Sequence, residues 1–195
     1  MSKVINKGTG AGGAKTVLNG GSFEKRTSIE SKLLDKKFTK IIMNKKKKYG
    51  YYYEYNDTIT KIIYLTQGGF KLYFKKEFNI DISKHPDEAF LILRNGQYFL
   101  KILEKKNQNV EGSVEDKLKT GRFIRREYEK MLSTMNNLTV SYAFCVSKFL
   151  QDKFDSDQVK YKIIKEIMIE DDIKIFYGDD ENYFDCLYDN YITSN

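Results

Sequence analysis

EAFLILRNGQYFLKILEKK, residues 88 to 106, joins two β-prone runs through Asn95 and Gly96. A tight hairpin turn needs positive φ at both central residues, which Asn and Gly adopt most readily, so this stretch predicts a β-hairpin. Side chains alternate between the two faces of a strand, and Glu104 and Lys106 therefore share one face with the apolar row before them. The second strand is expected to end in a carboxylate and an ammonium group side by side.

Asp87 stands just before the first strand of this hairpin, and sixteen residues separate it from Glu104. Because the two arms fold back on each other, we expect the two carboxylates to be neighbours. Such a pair repels unless a cation separates it, and all-oxygen ligands favour a hard ion such as Mg²⁺. With Lys106 alongside, the ion would activate water against a phosphodiester, which indicates metal-dependent hydrolysis. The alternative is a structural salt bridge between Glu104 and Lys106.

The segments around the hairpin predict a mixed α/β (α+β) fold. Apolar residues near helical spacing predict a first helix within residues 22–38, and four β-rich runs predict an antiparallel meander. A capping-box-like start at Ser113 predicts a long amphipathic helix, and residues 137–150 predict a strand parallel to the hairpin's second strand. The resulting order is αβββαβ, a mixed central sheet flanked by helices. The β-rich runs are TITKIIYL (58–65), GFKLYFKKEF (69–78), EAFLIL (88–93) and QYFLKILEKK (97–106). The apolar stripe of the long helix is Val114, Leu118, Gly121, Ile124, Tyr128 and Met131.

The two ends of the chain differ from its middle, although 195 residues suit a single domain. Residues 1–21 are glycine-rich and are expected to form a flexible arm. Residues 155–195 carry 4 basic and 11 acidic side chains, or −7, which leaves 30 against 16, or +14, for the rest. This acidic C-terminal extension is expected to hold a helix, a short strand and a terminal helix. The basic part is where a polyanion such as DNA would dock.

The composition also limits the class of protein. No apolar run approaches the roughly 20 residues of a membrane span, and the N-terminus lacks the apolar core of a secretory signal. The expectation is an intracellular protein, in the cytoplasm or, in a eukaryotic host, the nucleus. Cys145 and Cys186 are far apart without a CxxC or a histidine cluster, so two reduced thiols are expected instead of a zinc site.

Two groups of cations are candidates for DNA contact. The run NKKKKYGYYYEY combines four lysines with tyrosine rings that could stack on bases, but a lysine run can equally be a solvated loop. The arginines of the long helix either bind phosphates or form its solvent face, paired with Glu129. The lysines are Lys45, Lys46, Lys47 and Lys48, and the arginines are Arg122, Arg125 and Arg126.

Pro86-Asp87, followed after sixteen residues by Glu104-Lys105-Lys106, resembles the PD-(D/E)XK motif of restriction-endonuclease-like nucleases. The inferred αβββαβ order is similar to the core of that superfamily. The glycine-rich arm leading into GGSFEKRT, then PDEAF, LEKKNQ and GSVEDKL, looks like small type II restriction endonucleases of bacteria and large DNA viruses. The resemblance covers roughly residues 6 to 150 and leaves the acidic extension unaccounted for.

This resemblance implies roles for five residues. Asp87 and Glu104 would bind Mg²⁺, and Lys106 would position or activate the attacking water. Glu24 on the first helix would be an accessory acid, and Gln108 would hold a water or the substrate phosphate. The implied activity is site-specific cleavage of duplex DNA, for which a two-fold homodimer would cut both strands.

Three other functions remain open at this point. A DNA repair or junction-resolving nuclease of the same fold would cut only branched or damaged DNA. A non-catalytic DNA-binding module would use the carboxylates only to neutralise neighbouring lysines. An interaction protein would mask its own basic face with the acidic extension.

Overall fold

The computed structural model describes residues 21–108 and 114–194. The glycine-rich arm as far as residue 20 and the capping-box start at Ser113 lie outside the described residues. The strands are β1 (Thr39–Ile42), β2 (Tyr51–Asn56), β3 (Thr60–Thr66), β4 (Glu88–Arg94), β5 (Gln97–Lys106), β6 (Leu138–Val146) and β7 (Ile173–Tyr177). The helices are α1 (residues 21–26), α2 (Gln67–Phe78), α3 (Val114–Leu118), α4 (Gly121–Met131), α5 (Lys148–Phe154), α6 (Val159–Glu170) and α7 (Tyr183–Leu187). A 3₁₀ turn spans Ile29–Lys32, and a π-helical turn spans Tyr188–Ile192.

The fold is a mixed α/β architecture with helices on both faces of one sheet. Within the two described ranges, seven strands form this sheet, and they are ordered as they occur in the chain. The strands from β1 to β5 pair antiparallel. β6 then joins β5 in parallel, and β7 joins β6 in parallel. The predicted mixed sheet is therefore present, and it is wider than the sequence analysis expected.

The predicted hairpin is confirmed as β4 and β5. Asn95 has a φ of 51° and Gly96 a φ of 76°, as the tight turn requires. The register pairs Arg94 with Gln97 at the turn and Glu88 with Leu103 at the open end. The open end of the hairpin lies next to the end of β3, whose last residue pairs with Glu88.

The prediction of a strand at residues 69–78 is wrong, because these residues belong to helix α2. Their aromatic residues recur at helical spacing, and the rings of Phe70 and Phe74 lie 4.7 Å apart inside the core. Thr66 caps the start of the helix by accepting a hydrogen bond from the N–H of Gly69, and Asn79 ends it in the left-handed conformation. The sequence favoured a strand here because the aromatic residues of this segment have high β-propensity, although their spacing also fits a helix. The meander consists instead of β3, β4 and β5, preceded by β1 and β2.

Two predicted helices are interrupted. The first ends after α1, since Ser28 is extended and its hydroxyl donates to the Glu88 carboxylate at 2.7 Å. Of the apolar residues near helical spacing that predicted this helix, Phe23, Ile29 and Leu33 are buried and Leu34 is exposed. The long helix after the hairpin is broken between α3 and α4 at Thr120, whose hydroxyl donates to a backbone carbonyl. Gly121 then lies so close to β6 that a Cβ would sit 3.1 Å from Phe144.

Each face of the sheet carries its own apolar core. One core lies under α2, α4, α5 and α6, and the other lies under α1, the 3₁₀ turn and α7. Residues 155–194, treated above as an acidic extension, supply β7 and the fully buried side chains of Leu187, Tyr191 and Ile192. They are part of the sheet and of both cores. In the part of the chain that the structure describes, no helix is long and apolar enough to cross a membrane.

Candidate active site

Asp87 and Glu104 meet at the open end of the β4–β5 hairpin. The register pairs Glu88 with Leu103, so its next step places Asp87 opposite Glu104. The Asp87 Oδ2 atom accepts a hydrogen bond of 2.7 Å from the backbone N–H of Lys105. This bond ties the residue before β4 to the end of β5 and brings the two carboxylates together, as the hairpin predicted.

Lys106 lies beside Glu104 on the same face of β5. Its Nζ atom is 2.8 Å from Glu104 Oε1, and both side chains are partly buried. Leu100 and Ile102 precede them on this face and are fully buried, in agreement with the predicted alternation. The salt bridge between Glu104 and Lys106, the structural alternative named above, is therefore present. It also keeps an ammonium group within reach of anything that Glu104 binds.

The pKa of Asp87 is affected by a second nearby carboxylate, Glu24, in addition to Glu104. Burial, followed by the charge of Glu104 and a smaller contribution from Glu24, raises the pKa of Asp87 to about 7. The Lys105 N–H and the Lys106 ammonium act in the opposite direction. Glu24 is therefore close enough to Asp87 to affect its ionisation, which supports its predicted place at the site.

Asp87 and Glu104 suit Mg²⁺ because the ion would offset the repulsion between their two carboxylates. Two adjacent carboxylates, one with its proton retained by burial and by the other's charge, gain most from a bound hard cation. In residues 21–108 and 114–194, no group of three or more His, Cys, Asp or Glu side chains is arranged as a complete metal cage. The donor set that fits is the oxygen pair of Asp87 and Glu104, and Mg²⁺ commonly binds through one or two carboxylates while keeping several waters.

Gln108 lies differently from its predicted position. β5 ends at Lys106, so the strand alternation that would carry Gln108 to the face of Lys106 stops before it. Its backbone N–H donates to Ser147 Oγ at 3.2 Å, and its carbonyl accepts from the same hydroxyl at 2.9 Å. The side chain is buried. Gln108 is held at the start of the chain segment after β5, outside the residues that line the cleft described next.

A cleft of about 490 Å³ opens beside Asp87. Glu24 lines it from α1, and Lys48 and Tyr49 line it from the turn between β1 and β2. All four lysines of the run from Lys45 to Lys48 are exposed in this turn. One end of the lysine run therefore lines the same cleft as Asp87 and Glu24, whereas Glu104 and Lys106 are not among the residues that line it.

Most tyrosines of the same run have structural roles. Tyr52 and Tyr53 are buried in β2, and the hydroxyls of Tyr51 and Tyr53 both donate to Glu30 Oε1. Tyr55 stacks on a buried phenylalanine and donates to an aspartate. Tyr49 keeps about half of its surface exposed. Of the five tyrosines, Tyr49 is thus the one whose ring is placed to contact a base.

The three arginines on α4 are not equivalent. Arg122 forms a salt bridge of 3.1 Å with Asp171, and Arg125 donates to the Asp171 carbonyl at 2.8 Å. Arg125 also lies 3.6 Å from Glu129, the partner expected for this helix. Arg126 is exposed. Two of the arginines thus connect α4 to the end of α6, which favours the structural alternative for them.

No family model, no curated protein and no solved structure matches this chain. The chemistry of the site therefore rests on Asp87, Glu104 and Lys106 and on the residues that surround them. Strand alternation turns the Glu88 side chain away from the face of Glu104, and its carboxylate binds Ser28, Tyr64 and Lys105 on the opposite face of the sheet.

Proposed function

We propose that this chain is a magnesium-dependent DNA endonuclease of the PD-(D/E)XK type that hydrolyses phosphodiester bonds in duplex DNA at a specific site. The observation that carries the proposal is the hairpin end, where Asp87 lies opposite Glu104 and Lys106 pairs with Glu104 at 2.8 Å. Asp87 just before β4, and Glu104 and Lys106 at the end of β5, have the order and spacing of the two acids and the lysine in that motif, which supports the proposal.

The topology supports the same proposal. The chain runs from α1 into the antiparallel strands β3, β4 and β5, continues through α4, and returns in β6 parallel to β5. This order is similar to the αβββαβ order expected of a restriction-endonuclease-like core, with α2 as an additional helix between the first two of these strands. β1 and β2 extend one edge of the sheet and β7 the other.

The roles of the residues follow from their positions. Asp87 and Glu104 would hold Mg²⁺, which when bound offsets negative charge on the phosphate and lowers the pKa of a water. The Lys105 N–H orients the Asp87 carboxylate, and Glu24 adds negative charge at the cleft side. Lys106, at 2.8 Å from Glu104, would orient the attacking water and offset charge in the transition state.

The residues at the rim of the cleft favour a polyanionic substrate. Lys48 and the exposed lysines before it offer phosphate contacts at its rim, and the Tyr49 ring offers a stacking surface. The protein as a whole has a formal charge of +7. A DNA strand lying along the turn between β1 and β2 would bring a backbone phosphate towards Asp87.

Incubation of the purified protein with long linear duplex DNA and MgCl₂ tests the proposal. Discrete fragments are expected from the wild type, and none from Glu104→Ala or Asp87→Ala. Glu77→Ala, which removes an exposed carboxylate paired with Lys76 on α2, is the matched control and should cut like the wild type. No cleavage by the wild type, or cleavage unchanged by Glu104→Ala, contradicts the proposal.

The same experiment separates the other functions. Cutting confined to branched or damaged DNA would identify a repair or junction-resolving nuclease. Salt-dependent DNA binding without a Mg²⁺ requirement, unchanged by Asp87→Ala, would identify a non-catalytic binding module. If both strands are cut at a symmetric sequence, sedimentation of the DNA complex should show two protein chains per site.

A further inference from the structure

Lys105, the middle residue of the Glu104-Lys105-Lys106 triplet, is a buried cation directly behind the proposed site. Its side chain is 2% exposed, and its Nζ atom lies 3.0 Å from Oε1 of Glu88, whose side chain is 4% exposed. A charge taken this far out of water is costly unless it is paired and hydrogen-bonded. Because the Lys105 ammonium group is buried, it needs specific hydrogen-bond and ion-pair partners to offset the cost of burial.

Glu88 is the anchor of that set. Its Oε1 atom also accepts hydrogen bonds from the Ser28 hydroxyl at 2.7 Å and from the Tyr64 hydroxyl at 2.8 Å. Ser28 lies at the break after α1, and Tyr64 lies on β3. One carboxylate oxygen thus collects donors from three separate parts of the chain. Charge-assisted hydrogen bonds of this kind fix geometry more closely than apolar contacts do.

Lys105 connects this anchor to two residues of the site. Its ammonium group also donates to the backbone carbonyl of Glu24 at 3.1 Å, on α1. Its backbone N–H donates to Asp87 Oδ2 at 2.7 Å. Lys105 therefore contacts both the segment of α1 that carries Glu24 and the carboxylate of Asp87. These two contacts fix the distance between α1 and Asp87.

We propose that Lys105 is a positioning residue of the nuclease site, which with Glu88 sets the relative placement of Asp87 and Glu24 for the bound Mg²⁺. This inference rests on the proposed function. The packing of Phe23 and a salt bridge of 2.8 Å from Arg26 to Asp179 also hold α1, but the hydrogen bonds of Lys105 connect α1 directly to the Asp87 carboxylate. Residues that orient metal ligands from behind typically change metal affinity or activity by about 10- to 100-fold when they are replaced.

The test must keep the protein folded. Lys105→Met alone leaves Glu88 buried without its cation, so a double variant, Lys105→Met with Glu88→Gln, is used. The amide of Gln can still accept from Ser28 and Tyr64 and carries no charge. Lys101→Met is the matched control, because Lys101 is also buried on the same face of β5 but donates to the carbonyl of Ser194 at 2.6 Å.

Two readouts are measured on the full chain. Mg²⁺ binding without DNA, followed by titration calorimetry, should weaken about 10-fold in the double variant and stay unchanged in Lys101→Met. The Mg²⁺ concentration for half-maximal cleavage should rise by the same factor, and excess Mg²⁺ should restore the wild-type rate, while the KM for DNA is unchanged. Restoration by the ion is an effect that general damage to the fold would not show.

The outcomes distinguish the inference from the proposed function. If the double variant binds Mg²⁺ as tightly as the wild type, or if excess Mg²⁺ fails to restore cleavage, the positioning role is wrong while the nuclease proposal stands. If the wild-type protein neither binds Mg²⁺ nor cleaves DNA, the proposed function fails and the inference fails with it.

Discussion

The Asp87 carboxylate accepts a 2.7 Å hydrogen bond from the backbone N–H of Lys105, across the open end of the β4–β5 hairpin. A backbone donor holds the carboxylate in place whichever side chains surround it. Burial and the neighbouring charge of Glu104 nevertheless raise its pKa from 3.8 to about 7. Asp87 is thus held where ionisation is unfavourable, and a cation at this position would reverse that preference.

The raised pKa predicts how metal-free stability depends on pH. The folded state binds the Asp87 proton more tightly than the unfolded state, so this residue's contribution to the free energy of unfolding is greatest below about pH 4 and falls as the pH rises towards 7. Asp87→Asn should remove that decline. Urea melts in EDTA from pH 4 to pH 8 should show the variant gaining stability relative to the wild type as the pH rises.

Mg²⁺ supplies the complementary measurement. Because the ion requires the ionised carboxylate, its apparent affinity for the wild type should increase up to about pH 7, and added Mg²⁺ at pH 8 should narrow the stability gap to Asp87→Asn. Asp81→Asn, at an exposed carboxylate, is the control and should follow the wild type. Parallel pH curves for the wild type and Asp87→Asn would show that Asp87 has an ordinary pKa.

Lys106→Met separates catalysis from metal binding. Loss of the ammonium group should lower the cleavage rate at saturating Mg²⁺ by about 10²- to 10⁴-fold, the usual range for a positioned proton-transfer group. Mg²⁺ affinity should not fall, because Lys106 pairs with Glu104 in the metal-free protein and competes with the ion. Single-turnover cleavage and calorimetry measure the two effects. Lys75→Met, at an exposed lysine paired with Asp81, is the control; an equal loss there would remove any special role for Lys106.

The lysine run is tested by the salt dependence of DNA binding. Lys45→Gln combined with Lys48→Gln should reduce the slope of log affinity against log salt by about 1 to 2, since each lost phosphate contact contributes about 0.9. The single-turnover rate at saturating DNA should not change. Lys75→Gln with Lys76→Gln, two exposed lysines on α2, is the matched control. An unchanged slope in the first variant would mean that the turn between β1 and β2 is simply solvated.

Deletion of residues 155–195 should abolish folding instead of tightening DNA binding. It removes β7 and several large side chains that are wholly buried, each contributing about 1.5 to 3 kcal/mol against a total stability of about 5 to 15 kcal/mol. Circular dichroism on heating should show no cooperative transition. A stable truncated protein that binds DNA more tightly would support the masking role of the acidic segment.

A gentler pair of substitutions tests masking without removing the strand. Asp157→Asn and Glu181→Gln neutralise two exposed carboxylates of the same segment. If the segment does not screen the basic face, DNA affinity at moderate salt should stay within about twofold of the wild type, because exposed pairs contribute little. A large increase in DNA affinity would support the hypothesis of an interaction protein that masks its own basic face.

Some features of this protein were predictable because they depend on neighbours in the chain. The Asn95-Gly96 turn, the alternation along β5 and the pairing of Glu104 with Lys106 follow from φ requirements and a period of two residues. The element after β3 was not predictable in the same way. In residues 69–78 aromatic residues fit both a strand and a helix, and only burial of one helical face against the sheet decides between them.

By itself, the sequence determined the hairpin and, through it, the approach of Asp87 to Glu104, since a tight turn and a two-residue period leave one register. Only the tertiary structure decided that Lys48 and Tyr49 line the same cleft, that β5 ends before Gln108, and that Lys105 is buried against Glu88 and the carbonyl of Glu24. Such contacts join residues that are distant along the chain. They depend on how helices and turns pack on the sheet, which no local pattern specifies.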